Sequence, residues 1–490
     1  MRAVPLLLVL TAVGAGFPAG AAAQGPPTMP MRAGSQAPAG GSAPTLNPPT
    51  SIFLGGVPSG TKTANAIPIT VVDAIQRALD HNLGVLTAEQ EVGRAEGARW
   101  RMLSELLPNV NGRVSETREK LNLAAFGFGS STSGPFAGIP SIVGPFNVFD
   151  ARVYLSQAVI DFGAINDARS EAHNVSAAQY TYHGARSFVI HVAATLYTQA
   201  LAAAARADAA RAQAETAQAL YNQAVDLKQG GLVAGIDVLR AEVELNSETQ
   251  RATSAANDSE KAKLQLARVM GLPIGQEFTL DTTVPDLPKP DLTLDQAVAL
   301  AYDHRADYQA ALERVRAAEA ARQAIIGEAL PSVHVNADYG TIGLTVSDAQ
   351  ATYTLTGGLT VPIFQGGKTR GRLLEADADI RKRRTEAEDL KAGIYYDIRT
   401  AFLDLQATDQ QLQVATKARD LAAQQLTQSR DRFAAGVGSN IEVIQAQEAV
   451  AVANEQYISA FYGYDLAKGA LIRGIGTAED ALRQLMGGSR

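Results

Sequence analysis

The chain has 490 residues, 46% hydrophobic and 19% charged, with a formal charge of -7, enough for several domains or one long assembly. An isoelectric point near 5.5 leaves no basic surplus to neutralise phosphates, so nucleic acid is not an expected partner. The lack of cysteine excludes disulfides and a lipid-modified cysteine anchor.

Residues 1–23 read as a secretory signal: Arg2 supplies the positive start, residues 6–16 a short apolar stretch, and Ala21 and Ala23 a small-residue cleavage site before Gln24. Residues 24–66 are rich in Pro, Gly, Ser and Ala, a composition expected to form a disordered tether. No later run of about 18 or more uninterrupted apolar residues occurs, so no transmembrane helix is expected.

From residue 67 the chain is written twice. Residues 69–82 (ITVVDAIQRALDHN) align with residues 292–305 (LTLDQAVALAYDHR) at a constant offset of 223, with Ala74 on Ala297, Ala78 on Ala301 and His81 on His304. The offset holds to Pro108 on Pro331, which gives a first repeat at 67–272, a linker at 273–291, a second repeat at 292–476 and a tail at 477–490. Each repeat predicts a helix ended by proline, two strands, and a long helical hairpin.

The predicted strands are residues 109–121 and 148–159 in the first repeat, and 332–346 and 353–364 in the second. In the third of these, Val333, Val335, Ala337 and Tyr339 alternate with His334, Asn336, Asp338 and Gly340, so one face is oily and the other wet. The long helices are predicted from proline-free stretches rich in Ala, Leu, Gln, Glu, Arg and Lys, turning at 230–238 and 436–443. A helix over 163–229 spans roughly 100 Å, about twice its return partner at 236–271, and the helix near 305–330 supplies the remaining length. Two stacked helices therefore match one long one. A soluble coiled-coil scaffold or adaptor is the competing reading, and it leaves the strands without a role.

Four strands of this length suit a bilayer crossing but cannot close a barrel, because closed membrane barrels start at about 8 strands. Copies of the chain must share one barrel.

Residues 74–82 and 297–305, the helix ends LLP and ALP, the strand exits QAVIDFG and VPIFQGG, and the turns GGLVAGIDVLRA and GVGSNIEVIQA together resemble the TolC-like outer-membrane efflux (outer-membrane factor) family. One departure is Arg305, where the first repeat has Asn82. The resemblance implies a mainly α chain with a transmembrane β-barrel portion, a homotrimer with a 12-stranded barrel in outer-membrane lipid, and a long α-helical periplasmic tunnel. It implies a passive duct of a tripartite efflux or type I secretion system, with a periplasmic adaptor and an inner-membrane pump of RND, ABC or MFS type.

By position, the resemblance places Asp237, Glu442 and Phe433 at a periplasmic gate, and Gly231, Leu232, Val233, Gly436, Val437 and Gly438 at adaptor-docking tips. No Arg lies between Gly436 and Ile441, and Gln445 stands where a second acid is often found.

Other motifs read as structural. PIFQGGKT (362–369) ends like a phosphate-binding loop, but Pro362 stands where that loop needs flexibility, so a strand-to-helix bend is expected. His183 and His191 share a helix face without a carboxylate at ligand spacing, and Met29 and Met31 are too few for a copper site. The run RKRR (381–384) reads as a solvated face balanced by Glu386, Glu388 and Asp389. No nucleophile elbow or zinc-protease motif occurs, so neither catalysis nor a cofactor is expected.

Overall fold

The computed structural model describes residues 52–126, 140–231, 233–281, 292–435 and 437–487. The signal segment, most of the tether with Met29 and Met31, and linker residues 282–291 lie outside the described residues.

In the first repeat the elements are β1 (Ile67–Ile69), α1 (Val71–His81), α2 (Leu83–Ser104), β2 (Asn109–Asn122), β3 (Ile142–Ile160), α3 (Phe162–Gln229) and α4 (Gly235–Val269). The linker adds β4 (Phe278–Leu280). The second repeat follows with α5 (Leu294–His304), α6 (Ala306–Gly327), β5 (Ser332–Gly343), β6 (Gln350–Thr360), α7 (Lys368–Ala434) and α8 (Asn440–Ile475), then α9 (Ala478–Gly487).

Local signals start equivalent helices in both repeats. Thr70 caps α1 in a box with Asp73, and Thr293 caps α5 in a box with Gln296. The aligned alanines Ala74, Ala78, Ala297 and Ala301 are all 0% exposed, because small side chains let α1 and α5 approach the long helices closely. Asn82, fully buried, accepts from Gly84 N at 2.8 Å to cap α2 and donates to Phe53 O at 2.7 Å. Arg305 does not cap α6 with its side chain; it reaches Asp307 at 2.6 Å and Asp397 of α7 at 2.9 Å. The departure thus trades a cap for a tie between helices.

α3, with 68 residues, packs along both α6 and α4, and α7, with 67, packs along both α6 and α8. At 1.5 Å per residue α3 extends about 100 Å, while α4 and α6 extend about 52 and 33 Å. An isolated helix of this kind gains little from propensity alone, and the alanine-rich seams supply the stability through packing. One 18-residue window of α3 reaches a mean hydropathy of 1.5, long and apolar enough to cross a membrane by length and composition. Interspersed polar residues hid this stretch from a search for uninterrupted runs, and 44% of it is buried against neighbouring elements.

Three features were not expected. Residues 52–66, assigned to the tether, are packed: Phe53 sits edge-on to Phe188 at 4.8 Å, and Gln276 Oε1 accepts from Thr63 N at 2.7 Å. β1 pairs in parallel with β4, Ile67 opposite Phe278 and Ile69 opposite Leu280, above a core containing Tyr197, Leu266 and Met270. The tail, expected as 477–490, contains α9, which is docked by Leu482 in the core and by Arg186 Nε to Glu479 at 3.0 Å.

The larger sheet has the order β2-β3-β5-β6, all antiparallel, so the β3–β5 pairing joins the two repeats. Its outer strands β2 and β6 each have one edge unpaired among the described residues.

Candidate functional site

Register decides what the sheet presents. Because side chains alternate along a strand, residues paired across strands share a face. One face carries the rows Val110–Leu155–Ala337–Leu355 and Gly112–Val153–Tyr339–Tyr353. The other carries Asn109–Ser156–Asn336–Thr356, Asn111–Tyr154–Asp338–Thr354 and Arg113–Arg152–Gly340–Thr352. The alternation read from residues 330–340 therefore extends across four strands, including β2, whose own pattern is weak.

The oily face is bare in one chain: Val110 is 64% exposed, Val114 73%, Leu355 71% and Tyr353 80%. Each such side chain gains about 1.5–3 kcal/mol when covered, so this face requires an apolar surrounding. The strands have 14, 19, 12 and 11 residues, sufficient for a tilted bilayer crossing of about 9–11 residues.

On the wet face Arg152 Nε donates to Asp150 at 2.7 Å and Nη1 donates to Asp338 at 2.7 Å. A Cβ on Gly340 would lie 2.6 Å from Arg152 Cα and overlap its Cγ, so only glycine leaves room for the arginine to lie along the wall.

Far along the chain from these strands lie the hairpin turns. α3 ends at Gln229 with Gly230 as its C-cap, and Gly231 takes φ of 74° with its N–H on Lys228 O at 3.0 Å. α4 then starts with Asp237 in its first turn, 3.5 Å from Arg240. Val238 and Ala241 pack with Ala224 to close the hairpin. The second turn repeats this: Val443 and Ala446, at the positions equivalent to Val238 and Ala241, are 0% exposed. Val437 N and Gly438 N both donate to Arg432 O at 3.0 Å, and Ser439 accepts from Glu442 N to cap α8.

The sites expected at these turns are therefore distributed as follows. Gly231, Val233, Val437 and Gly438 lie in the turns, Val437 being 70% exposed, while Leu232 and Gly436 lie outside the described residues. Phe433 is half-buried at the end of α7. Asp237 and Glu442 both occupy first turns, where a helix N-terminus favours a carboxylate. Sequence reasoning missed the partner of Glu442: Arg432, before the turn, places Nε 3.6 Å from Glu442 Oε2.

The remaining motifs have structural surroundings. Gly366 and Gly367 take φ of 59° and 85°, bending β6 into α7. His183 Nδ1 is 3.9 Å from Glu479 of α9, and burial, with the Arg473 charge, holds His191 down to about 4. In the basic run, Lys382 and Arg383 pair with Glu386, and Arg384 reaches across to Glu319 of α6 at 2.6 Å. Among the described residues no group of three His, Cys, Asp or Glu side chains is arranged to hold a metal.

A family model described as outer membrane efflux protein matches residues 74–272 and 297–477, one block in each repeat. The chain belongs to the outer membrane efflux protein family. Its location is the outer membrane, and its fold is the mainly helical one of that family, with a β-sheet portion. The pyoverdine export outer membrane protein OpmQ of Pseudomonas putida is 23% identical over 318 residues, 63% of this chain and 66% of that relative, just under two thirds of its length. The Campylobacter jejuni CmeC outer membrane channel superposes with a TM-score of 0.71 at 18% identity, over 92% of this chain and 98% of that one. The Neisseria gonorrhoeae MtrE outer membrane channel gives 0.68 at 18% identity, over 83% and 89%.

Proposed function

We propose that three copies of this outer membrane efflux protein close a 12-stranded barrel, and that the assembly is a passive export duct from an inner-membrane pump to the cell exterior. The observation that carries the reading is the two-faced, four-stranded sheet with both edges open among the described residues. An open edge cannot face lipid, because each unpaired backbone group there costs several kcal/mol, and pairing β6 of one copy with β2 of the next removes both edges. OpmQ is named for pyoverdine export and CmeC and MtrE as channels, which supports transport as the activity, with no chemistry performed by the chain itself.

In this reading the long helices form the periplasmic tunnel. The turns at Gly231 and Val233 and at Val437 and Gly438 receive a periplasmic adaptor, and Asp237, Glu442 and Phe433 narrow the entrance. The pump supplies the energy. Residues 1–23 direct export, residues 24–66 connect the signal to the first repeat, and the segments 67–272 and 292–476 act as the two halves of each subunit.

Extraction and electrophoresis test the assembly. The protein should resist buffer, require detergent, and run as an oligomer of three that heating converts to a monomer lighter than the 51.5 kDa of all 490 residues by the removed signal. Release into buffer as a monomer would refute the barrel.

A further inference from the structure

The wet face of the sheet carries two arginines in direct register, Arg113 on β2 and Arg152 on β3. Like charges placed opposite each other repel, and the structure resolves this unequally. Arg152 takes both carboxylates, Asp150 and Asp338, and lies against the wall over Gly340 with its side chain only 17% exposed. Arg113 is exposed and makes no hydrogen bond or ion pair among the described residues. The open edge next to it offers no relief. Any β6 brought alongside β2 spans residues 350–360, which contain no Asp or Glu, and its wet-face side chains are Gln350 and a run of threonines.

From this geometry we infer that Arg113 is a specificity-determining residue of the outer-membrane lumen, a guanidinium that contacts passing anionic groups of the carboxylate, phosphate or sulfonate class. The inference rests on the duct reading. Arg152 with its two acids has a net charge of -1 and is fixed to the wall, so it pushes anions toward the Arg113 side of each subunit. A guanidinium presents a planar fork of donors that matches such oxyanions, and three copies around one axis place that fork on three sides of the path. The positive charge acts over the Debye length, about 10 Å at 0.1 M salt, so dilute salt enlarges its effect.

Because the chain contains no cysteine, Arg113→Cys introduces a single addressable thiol per copy. The full-length variant, reconstituted in planar bilayers, is treated with water-soluble methanethiosulfonates carrying either a trimethylammonium or a sulfonate group. The chloride-over-potassium permeability ratio is then read from the reversal potential across a salt gradient. The trimethylammonium adduct should keep the wild-type ratio, and the sulfonate adduct should lower it by roughly threefold at about 0.01 M salt. Arg113→Gln should fall between them and serves as the readout if the cysteine variant does not assemble. A conducting wild-type protein whose ratio is unmoved by both adducts and by Arg113→Gln overturns the assignment and leaves the duct reading standing. A wild-type protein that does not conduct overturns both.

Discussion

Arg432 Nε lies 3.6 Å from Glu442 Oε2, an ion pair that spans the second hairpin turn from the last turn of α7 to the first turn of α8. Asp237 has the corresponding arrangement within α4, with Arg240 Nη1 at 3.5 Å. Both pairs are substantially exposed, so each contributes about 0–1 kcal/mol to folding, and their effect is on the local field. Arg432→Ala and Arg240→Ala should uncover the acids and raise potassium-over-chloride preference by roughly twofold in dilute salt. Glu442→Ala and Asp237→Ala should weaken that preference or raise conductance. Bilayer recordings decide the point, and an ion preference unchanged in all four variants removes these acids from the gate.

A second prediction concerns the small sheet that joins the linker to the first repeat. The Tyr197 hydroxyl lies 2.9 Å from Ile69 O and 2.8 Å from Asp281 O, at the ends of β1 and β4. Tyr197→Phe removes the hydroxyl's hydrogen bonds to the ends of β1 and β4, leaving Ile69 O with the Asp281 N donor, and should cost about 1–2 kcal/mol, read from urea or thermal denaturation of the detergent-solubilised protein. Burial, followed by the Asp281 charge, pushes this phenol up to about 12 from 10.0. The folded state therefore holds its proton where the unfolded chain releases it. That stability is complete below pH 10 and is lost as pH rises toward 12, and Tyr197→Phe should remove this part of the alkaline slope.

His191 gives the opposite dependence. Burial, reinforced by Arg473, lowers it to about 4 from 6.5, so between those values the unfolded chain takes up a proton that the folded one refuses. Stability should be intact above pH 6.5 and decline as pH falls toward 4, by on the order of 2–3 kcal/mol, with His191→Gln flattening the curve. The histidine lines a cavity of about 90 Å³ with Ile472, Leu482 and Leu485, so α9 should be the first element to loosen in acid, visible as faster amide exchange there.

What could be read from the sequence divides along physical lines. The repeat, the long helices, the hairpin turns and the approximate positions of β5 and β6 follow from local pattern, because proline placement, alternation and helix-forming composition act over a few residues; β2 alternates weakly, and β3 begins six residues before its expected start. The β1–β4 pairing was not legible: a three-residue strand has no periodicity, and its partner lies some two hundred residues away. Phe53 sits in a stretch whose composition signals disorder, and residues distant in sequence order it: Gly84 and Phe188 receive its ring and Asn82 holds its carbonyl. Arg152 and Asp150 could be placed on one face from their spacing. Asp338 could join them only once the β3–β5 register was known. Arg432 was missed for a similar reason, since reaching Glu442 depends on how the turn folds back.

The β3–β5 register also makes one glycine decisive, and a second glycine on β6 serves as a control. Gly340 is buried opposite Arg152, and an added Cβ would overlap Ala151 O and the Arg152 Cγ, so alanine there must push the joined strands apart and lift Arg152 from Asp338. Overpacking of this kind costs about 1–3 kcal/mol per chain. Gly357, on β6 opposite Val335, has nothing within 4 Å of its would-be Cβ. Gly340→Ala should lower the temperature at which the heat-sensitive oligomer dissociates, by roughly 2–5 °C, whereas Gly357→Ala should leave it in place. The measurement is a temperature series on unboiled electrophoresis samples. Equal dissociation temperatures for the two variants would mean that the Arg152 bridge does not hold the two repeats together in the assembled barrel.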